Sequence, residues 1–361
     1  MPFRYPFYGV VIGFFLEACA KEEVQSAPPP PPVVLNEEEV QQGASLYAKY
    51  CALCHGARGE GYAADRAPAI GNRDFLRVAS DEFIHEAIAE GHPGTSMSAW
   101  HRRHGGPLDD PAIRAIVSFL RSLARDEVQA TDRGRVYGDL ARGAALFALH
   151  CAECHGKEGE GGSGPSLNSP VFLRTVSDRF VRDTIARGRR NTPMEGWDAR
   201  LSSEEIDALT AFVRSLKPRA FDPPPAPTRK PPPLDAIVLN PEGPLADFEA
   251  REGLFVSGEE VKRALDQGKR FILIDARPPS DWAKGHIPGA VPFPFYDAEA
   301  LIQYIKASEL WVIAYCACPH GASGRVVDAL HRAGHKRAAI LDEGIFWWIE
   351  KGYPIEMGSL E

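Results

Sequence analysis

The chain has 361 residues, an apolar fraction of 44% and a formal net charge of −8. This length is enough for two or three domains that each bury a hydrophobic core. No segment carries a basic stripe, so the sequence offers no support for nucleic-acid binding.

Residues 1–19 have the pattern of a secretory signal, with Arg4 ahead of a short apolar stretch at 8–16. That stretch is too short to span a bilayer, which takes about 20 residues. The ending Leu-Glu-Ala-Cys resembles a bacterial lipoprotein cleavage site, which predicts lipidation of Cys19 and a membrane lipid anchor. Ordinary signal cleavage and an uncleaved anchor remain open, with Cys19 then incidental. Every version predicts a bacterial periplasmic location or the outer face of a membrane.

Two proline-rich stretches, at 28–32 and 223–233, favour extended semi-rigid spacers. They mark the domain boundaries. We therefore predict a linker at 20–36, a first domain at 37–125, a second at 138–217, a second linker at 218–250 and a third domain at 251–361.

An internal repeat fills the first two domains, since residues 43–56 closely match residues 143–156. Each copy continues through a glycine-rich loop, a helical segment, a methionine and an amphipathic helix. The predicted helical segments are 81–90 and 110–123 in the first copy, and 177–187 and 202–216 in the second. Both copies are predicted to be small all-α domains.

The pattern changes after residue 233. Apolar runs of strand length at 271–275 and 310–315 alternate with helical segments. Those predicted helices are 258–267, 299–306 and 321–332. The alternation predicts an α/β domain with a mainly parallel sheet.

Each repeat contains a Cys-x-x-Cys-His motif, CALCH at 51–55 and CAECH at 151–155. Two thiols one helical turn apart can each form a thioether with a haem vinyl group, and the next imidazole can ligate iron. We therefore predict two covalently bound haems c, on Cys51 with Cys54 and on Cys151 with Cys154, with His55 and His155 as axial ligands. A thioredoxin-like pair would not need the histidine, and a zinc site would need further ligands.

The sixth iron ligand is predicted from the rare methionines. Met97 and Met194 lie at matching positions of the repeat, each three residues before a tryptophan. A methionine is more often core filler, but the repeated context favours axial ligation. The first domain also offers rival histidines, namely His92, His101 and His104, whereas the second offers only His150.

The two repeats resemble class I cytochrome c. The resemblance implies His/Met ligation, a raised reduction potential and electron transfer without an open iron position. The partners it implies are redox proteins of a respiratory chain.

The third domain resembles the rhodanese family over about 256–354. The matching segments are IDAR at 274–277, GHIPGA at 285–290, AYC at 314–316 and LDEGIFWW at 341–348. In that family a strand-end cysteine, beside a helix N-terminus that lowers the thiol pKa, accepts sulfane sulfur as a persulfide. Cys316 has this position and is the candidate nucleophile, with thiosulfate or a polysulfide as the candidate donor.

The loop after Cys316 departs from the common family pattern, because it lacks an arginine in the short cradle and has a second cysteine, Cys318. Three roles are open for Cys318: a buried structural residue, a resolving thiol, or a copper(I) ligand together with Cys316 and His320. A phosphatase on this fold needs an arginine six residues after the cysteine, and position 322 is Ala322.

Other polar residues of this domain have structural interpretations. Asp275 and Arg277 are expected to fix a strand end through a charge-assisted hydrogen bond, and His286 is expected to be a packing or loop-fixing residue rather than a catalyst.

The sequence thus predicts a dihaem electron carrier with a tethered rhodanese-like domain. Enzymatic activity is left open between a sulfurtransferase and a sulfur-oxidising oxidoreductase that passes electrons from Cys316 to the haems. The alternative is a carrier whose rhodanese-like domain serves only for docking or sensing. A haem peroxidase needs a vacant iron position, and Met97 and Met194 argue against it.

Overall fold

The computed structural model describes residues 35–62, 67–124, 134–220, 237–305, 309–317 and 320–358. The predicted signal, Cys19 and Cys318 lie outside these residues. The described residues all belong to one compact unit, Pro32–Glu361. Within them, no helix has both the length and the apolarity needed to cross a membrane.

The first two domains are helical and share one order of elements. In the first, the helices are α1 (Glu37–Tyr50), α2 (Ala52–His55), α3 (Arg73–Val78), α4 (Asp81–Glu90) and α5 (Asp110–Ser122), with a 3₁₀ turn at Arg102–His104. In the second they are α6 (Leu140–His150), α7 (Ala152–His155), α8 (Pro170–Thr175), α9 (Asp178–Arg187) and α10 (Ser203–Ser215).

Side-chain caps fix where these helices begin. Ser80 and Ser177 each accept a hydrogen bond from the backbone three residues ahead, at the starts of α4 and α9. The predicted capping box at the start of α10 is present, with Ser202 and Glu205 bonding each other's backbone N–H.

One close helix crossing defines each helical domain. Helix α1 crosses α5, and α6 crosses α10, at glycines of the repeat. A Cβ atom on Gly43 would lie 1.8 Å from the carbonyl oxygen of Ala115, and one on Gly143 would lie 2.2 Å from that of Ala208. Because only glycine allows the helix backbones this approach, the same crossing recurs in both copies.

The two helical domains pack on each other around four phenylalanines. Phe75 and Phe83 of the first domain face Phe180 of the second, with ring centroids 6.1 and 5.4 Å apart, and Phe172 lies 6.1 Å from Phe83. Helix α3 packs against α9, and α4 against α8. In the repeat, α3 corresponds to α8 and α4 to α9. The interface therefore has approximate two-fold symmetry.

The third domain is α/β. Its strands are β1 (Val238–Leu239), β2 (Phe255–Val256), β3 (Phe271–Asp275), β4 (Val291–Pro292), β5 (Val312–Tyr315) and β6 (Ala338–Leu341). Its helices are α11 (Gly258–Asp266), α12 (Pro279–Lys284), α13 (Ala298–Ile305), α14 (Gly321–Arg332) and α15 (Gly344–Glu350), with a 3₁₀ turn at Phe295–Asp297.

The sheet has the order β1-β3-β5-β6-β2, and β4 also pairs with β3. All its pairs are parallel except β1 with β3, so the predicted fold class is confirmed. Strand β1 lies inside the segment predicted as linker, because a run of only two residues gives no periodic signal.

A charged contact also spans the two helical domains. The guanidinium and backbone N–H of Arg190 donate to the Asp74 carboxylate, and these hydrogen bonds lower the Asp74 pKa. A depressed carboxyl pKa contributes stability above the pKa of the unfolded chain, and this is lost as pH falls through the folded value.

We expect Asp74→Asn to lower the free energy of unfolding by about 1 kcal/mol at pH 7. The difference from wild type should shrink as the pH falls below about 4, because wild-type Asp74 becomes protonated as the pH passes its lowered pKa. Thermal unfolding of both proteins across this pH range measures it. A difference that persists unchanged at pH 2 would contradict the assignment.

Candidate haem and persulfide sites

The short helices α2 and α7 hold the two Cys-x-x-Cys-His motifs. In each, the first cysteine caps the short helix, so both thiols and the imidazole lie on a single turn. The backbone pattern is identical in the two copies, with Cys54 N–H donating to the Cys51 carbonyl at 3.2 Å and Cys154 N–H donating to that of Cys151 at 3.2 Å.

A second hydrogen bond orients each motif histidine. Nδ1 of His55 lies 2.9 Å from the carbonyl oxygen of Pro68, and Nδ1 of His155 lies 2.8 Å from that of Pro165. A carbonyl oxygen only accepts, so Nδ1 carries the proton and the lone pair is on Nε2. Burial lowers the pKa of both imidazoles, which favours the neutral form that ligates a metal.

Each candidate methionine sits in the same small turn. Thr95 Oγ1 accepts from the Met97 backbone N–H at 3.1 Å, and Thr192 Oγ1 accepts from that of Met194 at 3.2 Å. Both side chains are half-buried. The turn therefore fixes both methionines in equivalent places, and their ligation of iron stays a prediction.

Two of the rival histidines in the first domain have carboxylate neighbours. His101 Nε2 lies 3.4 Å from Asp110, and His104 Nε2 lies 3.0 Å from Glu90. His150 of the second domain packs its ring on Trp197 instead. These contacts favour Met97 and Met194 over the histidines.

The third rival, His92, has Arg189 as its counterpart in the repeat. His92 N–H donates to the Met97 carbonyl and Arg189 N–H donates to that of Met194. An arginine does not ligate iron, so the shared position is not that of a ligand in the second domain. Burial lowers the pKa of His92 to about 4, and that of Arg189 to about 10.

The residues around the two Cys-x-x-Cys-His motifs fit a haem group. The buried Nε of Arg189 has no hydrogen-bond partner among the residues that the structure describes. A haem carboxylate would supply the missing acceptor. The donor set of a neutral histidine, a thioether and two thiols is also that of a covalently attached haem.

Cys316 follows strand β5 directly and is only 1% exposed. Its Sγ lies 3.3 Å from Oγ of Ser323, which is on the first turn of α14. The carbonyl of Cys316 accepts a hydrogen bond from Ile345 N–H, where α15 begins. The thiol thus lies between the end of a central strand and the start of a helix.

A buried ion pair fixes the strand end beside Cys316. Arg277 donates to both carboxylate oxygens of Asp275, as the sequence predicts, and it also donates to the Gly285 carbonyl. The Tyr315 hydroxyl donates to the same carboxylate at 2.9 Å. His286 stacks on Trp282, so its predicted packing role is also confirmed.

His320 contacts Asp342 and Phe255. Its Nε2 lies 2.7 Å from Oδ1 of Asp342, and its ring lies on Phe255. Within the described residues, no cluster of three or more His, Cys, Asp or Glu side chains is arranged to hold a metal ion. Since Cys318 lies outside those residues, all three of its roles stay open.

Comparison with known proteins agrees with this division. Residues 38–120 and 138–213 match the family model "Cytochrome C oxidase, cbb3-type, subunit III", and residues 257–351 match the rhodanese-like domain. The chain therefore combines c-type cytochrome domains with a C-terminal rhodanese-like domain. Its two helical domains each match the cbb3-type subunit III model, and the similarity supports cytochrome c electron transfer with covalently bound haem c.

Two relatives illustrate the similarity. The chain is 30% identical over 185 residues to a cbb3-type cytochrome c oxidase subunit FixP from Bradyrhizobium, which covers 48% of this chain and 60% of that protein. It is 33% identical to a dihydro-heme d1 dehydrogenase from Pseudomonas aeruginosa, over 50% of this chain and 37% of that one. The chain thus spans about three fifths or less of these relatives' lengths.

A solved structure of a Kuenenia stuttgartiensis reducing HAO-like protein complex is 22% identical and covers 51% of this chain and 100% of its own. The TM-score of 0.35 is too low to bear on the fold.

Close backbone contact at Cys316 generates a prediction. A Cβ atom on Gly344 would lie 2.8 Å from the Cys316 carbonyl oxygen, and the φ of Gly344 is +71°. Gly253 has a similar φ of +68° but nothing within 4 Å. Gly344→Ala should therefore destabilise the protein more than Gly253→Ala, which has only the left-handed backbone cost of about 1–2 kcal/mol. Calorimetry of both variants tests this, and equal melting temperatures would contradict it.

Proposed function

We propose that the protein is a dihaem c-type cytochrome that mediates periplasmic electron transfer and carries sulfane sulfur on Cys316. The observation that supports it best is the repeated pair of imidazole Nδ1–H bonds to proline carbonyls, at His55 and at His155. Each leaves an Nε2 lone pair beside two thiols.

The residues of each repeat have defined roles in this proposal. The four thiols, Cys51, Cys54, Cys151 and Cys154, form the thioethers. His55 with Met97, and His155 with Met194, would hold the two haem irons. The haem supplies one-electron redox chemistry. The protein would fix the imidazole tautomer and exclude water. A methionine sulfur as the second ligand would raise the reduction potential relative to ligation by two histidines.

Sulfane sulfur is proposed to reside on Cys316 as a persulfide. Attack of the thiolate on thiosulfate forms the S–S bond and releases sulfite, so no oxidant is required. Ser323 Oγ, 3.3 Å from the thiol sulfur, is close enough to donate to a thiolate. The Asp275 and Arg277 pair holds the strand end that presents the thiol.

The location and partners are proposed from the N-terminal sequence and the relatives. A lipid anchor on Cys19 would hold the chain at the periplasmic face of a membrane. The relative from Bradyrhizobium is named as a subunit of a cbb3-type cytochrome c oxidase. Respiratory redox proteins are therefore the partners we expect.

A second function, a rhodanese-like domain used only for docking, is favoured by one observation. Cys316 is only 1% exposed, which would shield it from any large sulfur donor. Reactivity of this thiol therefore decides between the two functions.

Haem content tests the cytochrome part. We expect two haems per chain in the wild type and one in the double variant Cys151→Ala with Cys154→Ala, because each motif attaches its own haem. Mass spectrometry of the denatured protein counts covalent haems. The matching variant Cys51→Ala with Cys54→Ala is the control and should also hold one. A single haem in the wild type would contradict the proposal.

Thiosulfate labelling tests the sulfur part. The wild type should gain one sulfur atom on the peptide that contains Cys316, and Cys316→Ser should not. Cys318→Ser is the matched control and should still be labelled, because Cys316 is the attacking thiol. Peptide mass spectrometry reads the result. A label that survives Cys316→Ser but disappears in Cys318→Ser would reassign the nucleophile, and no label in any protein would favour docking alone.

A further inference from the structure

The rhodanese-like domain is seated on the first c-type domain, on the residues that follow Met97. Ser98 Oγ donates to the Asp281 carboxylate at 2.5 Å, and Ser280 Oγ donates to the Ala99 carbonyl at 2.9 Å. Ser98 and Ala99 are both buried there. The methionine loop is thus held by the α/β domain.

Aromatic rings fill the rest of this contact. Tyr50, which directly precedes Cys51, packs edge-on against Tyr296 with centroids 5.0 Å apart. Trp100 lies 6.3 Å from Phe295 and 5.9 Å from Tyr296. The contact therefore covers both segments that flank the predicted haem of the first domain.

Backbone hydrogen bonds connect this contact to the residue before Cys316. Phe295 N–H donates to the Ala276 carbonyl at 3.0 Å, and Ala276 N–H donates to that of Tyr315, the residue before Cys316. Cys316, Phe295 and Trp100 belong to one continuous buried cluster, on which Cys51 and Met97 also pack. In addition, helix α14, which begins in the cysteine loop, comes within 8 Å of α2 between Cα atoms.

The second c-type domain has no such cover in the described part of the chain. Its Cys154 and His150 are exposed, whereas the matching Cys54 and Tyr50 are half-buried. Leu149 is 73% exposed, and Glu195, the counterpart of Ser98, faces solvent. The two repeats are therefore unequal, because one adjoins the sulfur domain and the other faces solvent.

We propose that Cys316 and the haem of the first c-type domain form one sulfur-oxidising centre, which converts hydrosulfide to a Cys316 persulfide and sends the electrons toward the second domain. The inference rests on the proposed function. The Cys316 thiolate and hydrosulfide join through a new S–S bond, and one proton and two electrons leave. The two haems c that the proposed function assigns to this chain would accept these two electrons, one each.

Hydrosulfide fits the site for two reasons. A thiol that is 1% exposed admits only a small sulfur species. Hydrosulfide also carries no sulfane sulfur, so a persulfide forms from it only when an oxidant is present. The reaction releases two electrons, which equals the number of proposed haems. The buried rings of Tyr50, Trp100, Phe295 and Tyr296 form a continuous protein route between the two domains.

The test is anaerobic addition of sodium hydrosulfide to the fully oxidised full chain. Visible spectroscopy measures reduced haem, and peptide mass spectrometry measures sulfur gained on Cys316. We expect two reduced haems for each persulfide formed. Cys316→Ser should lose both signals, while its haems should still be reduced by ascorbate.

Matched variants test the route. Tyr50→Leu removes the ring that touches Tyr296. His150→Leu changes the counterpart in the second domain, which touches no ring among the described residues of the third domain. We expect Tyr50→Leu to slow haem reduction and persulfide formation together, with His150→Leu at the wild-type rate. Tyr296→Leu, on the opposite side of the contact, should repeat the result if Tyr50→Leu folds poorly.

Two outcomes would overturn the inference. One is equal haem reduction by hydrosulfide in wild type and Cys316→Ser, which would mean direct attack on the haems. The other is labelling of Cys316 by thiosulfate without any labelling or reduction by hydrosulfide. In that second case the proposed persulfide function stands and only the coupling fails, whereas failure of both labels removes the proposed function as well.

Discussion

The buried contact between the first c-type domain and the rhodanese-like domain is the constraint on which the rest of the arrangement depends. The hydrogen bonds of Ser98 and Ser280 are buried, so either group would be costly to leave without its partner. Rings from both domains exclude water around them. This contact fixes which repeat adjoins Cys316, and it makes two similar domains differ in exposure.

Within each c-type domain, a different interaction sets the chemistry. The Nδ1–H bond to a proline carbonyl fixes the tautomer of His55 and of His155, and the loop turn fixes the methionines in the same way. Because these bonds recur in the two copies, the two proposed ligand sets have equivalent positions. Differences in behaviour must therefore come from the surroundings of each site rather than from its ligands.

The sequence predicts most of the fold and the site residues, because the relevant signals are local. The attachment motif, the capping box at Ser202 and the strand directly before Cys316 each lie within a few residues. The packing of Phe75 and Phe180 across the two helical domains is not predictable in this way. An apolar position on an amphipathic helix has the same pattern whether it faces its own core or a neighbouring domain. The contact of Ser98 with Asp281 also lacks a signal, since buried polar pairs distant in sequence leave no periodicity.

The two c-type domains differ in charge as well as in exposure. His92 and Arg189 have the same place in the repeat, but His92 is neutral at pH 7 because burial lowers its pKa to about 4, whereas Arg189 keeps its charge. A nearby positive charge stabilises the reduced form of an iron centre, which carries one positive charge fewer. In the proposed dihaem arrangement, the charge of Arg189 would therefore favour the electron in the second domain. The exposed face of that domain around Leu149 and Cys154 is where an outside redox protein has access. Burial and charge would thus both favour electron transfer from the covered first c-type domain to the exposed second one.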